Sequence, residues 1–184
     1  MVVKDAGRIR MRTQRFSYLF TITVIILFAT IASAHGDEES SARFSNLEIL
    51  FIALTLSLIG FLLTATKYAQ KMTVFSAYTF SFALYTGFVH VLLGLNDGIL
   101  LLGGCGVLSI ISTPVLFTFS DSRMKLARIS LAALSIIMFF AYFVSNHDIH
   151  AILEDYLGIT TKISEIGILI GLLIHRKKPH SEEE

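Results

Sequence analysis

Six histidines and 14 carboxylates stand out in a chain that is otherwise dominated by apolar side chains. Imidazole and carboxylate are the groups best able to hold a metal cation or pass a proton. His35, His90, His147 and His150, with Asp97 close behind His90, are therefore the candidate ligands for a transition metal ion: nickel, copper, cobalt or zinc. Glu165, Lys162 and Asn96 are the candidate lining of a polar path. His90 lies in Y-T-G-F-V-H-V-L-L-G-L-N-D-G. In an unbroken helix it would share a face with Asp97 but sit about 10.5 Å from it along the axis, too far to hold one ion. Gly94 and the turn-forming Asn96-Asp97-Gly98 predict a break that could bring Asp97 back toward His90. The plainer reading of His90 is an interfacial histidine bonded to a carbonyl or a tyrosine.

His147-Asp148-Ile149-His150 places two imidazoles at i, i+3, a spacing that suits two ligands of one metal if the segment is helical. An H-x-x-H in a polar loop also arises readily by chance, so convergence with His90 or His35 is the requirement. Lys162 and Glu165 are again i, i+3 and can pair. Lys162, near the outer helix end, can snorkel to the interface, whereas Glu165, near mid-membrane, cannot and must face the bundle or a water path. Such a carboxylate serves either a transport path or a structural pair with Lys162.

The remaining chemistry is sparse. Cys105 is the single cysteine, which excludes an intramolecular disulfide or a cysteine metal cluster. No G-x-S-x-G, H-E-x-x-H or dinucleotide fingerprint is present, so no enzyme activity is expected. Charge is segregated rather than accumulated, with a formal net of +1, and nothing favours nucleic acid.

The elements that must position these residues are membrane spans. Hydrophobic residues make up 54% of the chain and charged ones 16%, with mean hydropathy +0.70; soluble domains carry roughly 25% charged residues. Five apolar runs, at about 47–65, 73–95, 98–119, 126–145 and 156–174, each approach the ~20 residues that cross ~30 Å of hydrocarbon. They lack the alternation of barrel strands, so all five read as helices. The expected fold is all-α, a polytopic bundle of five spans in one domain, 35–184. Residues 1–34 read as a signal peptide or a sixth, first span: a basic start, an apolar run and Ala32-Ser33-Ala34 satisfy the pattern of the former, and the run is long enough for the latter. Gly103, Gly104 and Gly106 give the third span a small-residue surface for close approach, and Pro114 predicts a kink near its inner end. Tyr78 and Tyr85 share a face of the second span and read as packing residues.

Orientation follows from the loops. The Arg-rich start, T-K-Y-A-Q-K, D-S-R-M-K-L-A-R and H-R-K-K-P-H-S-E-E-E are basic beside the membrane, while the alternate segments are acidic or rich in histidine. Short cytoplasmic loops collect Lys and Arg. The expectation is a multi-pass plasma-membrane protein with its C-terminus cytoplasmic and residues 35–45 outside. Its partners would be the lipid bilayer and, in a second reading, other subunits of a membrane complex.

The stretch G-F-V-H-V-L-L-G-L-N-D-G-I-L-L-L-G-G, Gly87 to Gly104, resembles the signature of the HupE/UreJ family of small membrane proteins associated with uptake of nickel and other metals. The family pattern reads His-Pro-x-x-Gly-x-Asp-His. His90 and Gly94 match it, but Val91 replaces the Pro, Asn96 the Asp, and Asp97 the second His. The resemblance implies metal handling, while the replaced ligands put a nickel preference in doubt. More loosely, His35-Gly36 at the start of a processed chain is similar to the copper-binding N-terminal histidine of membrane copper monooxygenases, whose wider pattern is not found here. The readings that follow are a metal permease-like protein or a non-catalytic subunit or assembly factor of a membrane metalloenzyme complex.

Overall fold

In a computed structural model of the 184-residue chain, residues 44–65, 74–117, 120–145, 152 and 154–175 are described. They form five helices and, among the described residues, no strand: α1 Asn46–Thr64, α2 Ala77–Leu93, α3 Gly98–Leu116, α4 Asp121–Ser145 and α5 Tyr156–His175. Four of these, α1, α3, α4 and α5, are long and apolar enough to cross a membrane. The chain is thus a multi-pass helical membrane protein. His35, His147 and His150, together with the 1–34 segment, lie outside the described residues.

Four of the five helices, α1, α2, α3 and α5, begin where a side chain takes up free amides. Ser45 and Glu48 form a reciprocal capping box on α1, with Ser45 N donating to Glu48 Oε2 at 2.8 Å and Glu48 N to Ser45 Oγ at 3.3 Å. Ser76 accepts from Thr79 N at the head of α2. Asp97 accepts from Ile99 N and Leu100 N at the head of α3, and Asp155 Oδ1 from Gly158 N at that of α5.

α2 is the axis of the bundle. Every residue from Ala83 to Leu92 is buried, because α1, α3 and α5 all pack on it, while α4 closes the ring between α3 and α5. Matched pairs set the directions. Ser57 meets Ser81, which donates to the Ser57 carbonyl, and the Phe61 and Tyr78 rings meet at a tilt of 46°, so α1 is antiparallel to α2. Ser164 donates to the Phe82 carbonyl and Tyr85 pairs with Thr160, so α5 is antiparallel to it as well.

The expected 23-residue second span is shorter, 17 residues, or about 25 Å of helix. That is less than the hydrocarbon thickness, but a helix sheathed by its neighbours has little lipid contact to match. Conversely, α4 starts at Asp121, not 126, because its helical hydrogen bonding continues through the polar D-S-R-M-K turn. Hydropathy locates the hydrocarbon, whereas backbone bonding sets where the helix starts.

The glycines of α3 divide between two neighbours. A β-carbon on Gly104 would lie 2.6 Å from Val91 N and 2.7 Å from the Gly87 carbonyl, so α2 and α3 touch backbone to backbone there. Gly103 and Gly106 instead face Met138 and Leu134 of α4. Large apolar side chains such as Phe51, Leu62, Ile99, Leu102, Phe140 and Leu173 point outward. In water such a surface would associate; in lipid it is the ordinary exterior.

Candidate functional site

A charged cluster sits in the interior where α2, α4 and α5 meet. Glu165 is 0% exposed and Lys162 and His90 are each 6% exposed. The Lys162 ammonium donates to Glu165 Oε2 at 2.7 Å and Oε1 at 2.8 Å, and to the Met138 carbonyl of α4 at 3.0 Å. It also lies 5.2 Å from the centre of the Tyr142 ring, within cation–π range. His90 Nε2 is 3.8 Å from Glu165 Oε1, and its Nδ1 bonds the Thr86 carbonyl at 2.9 Å.

Helix geometry explains the meeting. Side chains lean toward the N-terminus of their own helix. Because α2 and α5 are antiparallel, His90 leans down α2 and Glu165 leans up α5, so the two side chains approach each other. Thr86 is one turn before His90, and its carbonyl carries the ring. On α4, Ser135, Met138 and Tyr142 recur at i, i+3, i+7 and form the third wall. Tyr142 donates to Asp155 Oδ2 at 2.9 Å, tying that wall to the start of α5. Lys162 therefore turns inward and does not snorkel: the buried carboxylate, a carbonyl and a ring face together outweigh the reach to the interface.

The sequence candidates separate accordingly. His90, Lys162 and Glu165 are brought together. Asp97 is exposed and holds the first amides of α3 with Oδ1; the break after Leu93 exists, but it uses Asp97 as a helix cap and leaves His90 facing Glu165. Asn96 is exposed in that turn. Among the described residues, no three His, Cys, Asp or Glu side chains converge on a metal-sized point. Of the cluster, His90 Nε2 and the Glu165 carboxylate are the groups able to ligate a cation, and Lys162 already occupies the carboxylate as a built-in cation.

Sequence reasoning missed Tyr142, Ser135, Thr86 and the Met138 carbonyl. The i, i+3, i+7 spacing on α4 and the i, i+4 spacing of Thr86 and His90 were the available signals. Among the described residues, Thr86 Oγ1 and Ser135 Oγ find no hydrogen-bond partner although both residues are wholly buried, an arrangement that costs about 1–3 kcal/mol per group unless water joins them. Comparison with protein-family models, curated proteins and solved structures finds no match to this chain.

Proposed function

We propose that this protein is a membrane permease for a divalent or copper-class metal cation, with His90 and Glu165 as its intramembrane station. The observation that carries the proposal is the His90–Glu165–Lys162 cluster. Ionisable groups are costly within a bilayer and concentrate on ion paths, and here an imidazole nitrogen and a carboxylate face one another with an ammonium in the cation's place. An arriving metal would exchange with Lys162, which keeps the Met138 carbonyl and the Tyr142 ring as alternative partners. His35, His147 and His150 would be the outer capture ligands, with Asp97 and Asn96 at the outer turn. The likeness of Gly87–Gly104 to the HupE/UreJ signature supports the same cargo class, although Gly87 and Gly104 are also explained by helix packing. The alternation of basic and acidic loops supports a plasma-membrane location with the C-terminus cytoplasmic, which reporter fusions to that end test directly.

Uptake of nickel, cobalt, copper and zinc by cells expressing wild type, His90→Ala or Glu165→Gln tests the proposal. Uptake of one metal that both substitutions abolish is expected; identical uptake by all three proteins for all four metals overturns it. A second reading, a non-catalytic subunit or assembly factor of a membrane complex, is favoured by the three bonds that saturate Lys162, since a static pin needs no exchange. Purification in mild detergent as a monodisperse particle without a partner counts against that reading.

A further inference from the structure

A groove runs along the outside of the bundle where α5 lies against α2. The two helices approach closely there: a β-carbon on Gly167 would lie 2.8 Å from the Phe82 ring, and one on Gly171 would meet Thr79 Oγ1. With these glycines as its floor, the groove takes its walls from Tyr78 and Phe82 of α2 and from Ile163, Ile166, Ile170 and Ile174 of α5, and holds about 490 Å³. The six wall side chains are between 37% and 70% exposed. The groove is therefore open to the surrounding lipid and is not a closed part of the core.

Its length selects the occupant. Ile163 and Ile174 are 11 residues apart, about 16 Å along the helix, close to half of the ~30 Å hydrocarbon core. A partner transmembrane helix needs a surface across the full depth. An acyl chain of one leaflet needs only half of it, ending at the midplane.

Charge selects the headgroup. α2 begins and α5 ends at the same end of the groove, marked by Ser76 and Ile174. Arg176, Lys177 and Lys178 follow within four residues of Ile174, whereas Glu182, Glu183 and Glu184 come at least eight residues after it. Basic residues directly beyond a span attract anionic headgroups, and the first amides of α2 present a further favourable pole to a phosphate. We propose that the groove is a site for an anionic glycerophospholipid, with one acyl chain along Gly167 and Gly171 and the phosphate between the start of α2 and the basic residues that follow α5. The site is separate from the permease reading, since neither a metal nor the His90–Glu165–Lys162 cluster takes part in it.

The chain contains no tryptophan, so an introduced one reports on its own surroundings. Tyr78→Trp puts the reporter in the groove wall, and Phe140→Trp puts it on the outward face of α4. The full-length proteins are reconstituted in phosphatidylcholine bilayers, and phosphatidylglycerol or phosphatidylcholine with a brominated acyl chain is added in steps to quench the fluorescence. For Tyr78→Trp, half-quenching is expected at a mole fraction of brominated phosphatidylglycerol at least about tenfold below that of brominated phosphatidylcholine, a preference within reach of three nearby basic residues. For Phe140→Trp the two lipids should quench alike. Replacing Arg176, Lys177 and Lys178 with Gln in the Tyr78→Trp protein should bring its two curves together. Ile170→Trp supplies a second reporter in the opposite wall, with the same expectation, should Tyr78→Trp fail to fold. Equal quenching by the two lipids in the groove, the same preference on α4, or a preference undiminished by the triple replacement overturns the proposal. So does a groove reporter that neither lipid quenches while Phe140→Trp is quenched; a dimer on gel filtration would then assign the groove to a second copy of the chain.

Discussion

Replacing Lys162 with Met should cost much of the bundle's stability, and replacing Glu165 with Leu at the same time should restore most of it. Both charges are buried, and each is satisfied chiefly by the other. Removing one partner from a buried pair costs about 3–5 kcal/mol, whereas exchanging the pair for apolar groups of similar volume is neutral or stabilising by about 1–4 kcal/mol. For Lys162→Met the loss has a ceiling, because Glu165 can take up a proton. Neutralising an ordinary carboxyl at pH 7 costs about 1.4 kcal/mol per pH unit above its usual value near 4.3, or roughly 4 kcal/mol in all. Reversible unfolding in mixed micelles, followed by circular dichroism, reads wild type, Lys162→Met, Glu165→Leu and the double variant. Single variants within about 0.5 kcal/mol of wild type, or a double variant less stable than either single, would refute the reasoning.

Three further outcomes follow from the geometry. Asp97→Asn keeps the α3 cap and should leave stability and metal uptake unchanged, while Asp97→Ala should lose about 1 kcal/mol in the same unfolding assay; loss of uptake in the Asn variant would make Asp97 a ligand as well as a cap. Gly104→Val forces a side chain between the backbones of α2 and α3 and should destabilise by at least about 1–3 kcal/mol, or prevent assembly as seen by gel filtration. Tyr142→Phe removes the bond to Asp155 but retains the ring over Lys162. It should cost about 0.5–1.5 kcal/mol and spare uptake, with an uptake loss as large as that of Glu165→Gln being the contrary result.

The class of fold was legible in the sequence because a bilayer leaves few alternatives: apolar runs of span length must be helices, and the five expected runs overlap the five helices. Boundaries were less so at α2 and α4, where burial by neighbours and continued backbone bonding, rather than hydropathy, set the ends. Lys162 and Glu165 were legible as a pair from their i, i+3 spacing on one helix. The approach of His90 was not, since it depends on the register between α2 and α5, which is fixed by contacts such as Ser164 to Phe82 and Tyr85 to Thr160, 82 and 75 residues apart in the chain. For Asp97 the sequence suggested a ligand that a break would bring back toward His90; the break exists, but the carboxylate takes up the first amides of α3 instead. The described geometry has it serving as the cap.

Purified wild type and Glu165→Gln, reconstituted in liposomes that contain a metal-sensitive dye, put the transport account to its most direct test. The account predicts metal-dependent dye response in wild type, with the rate in Glu165→Gln reduced at least about tenfold, the change expected when roughly 1.4 kcal/mol or more of cation binding is removed. Equal rates in the two proteins, or no response in wild type to nickel, cobalt, copper or zinc, would contradict it.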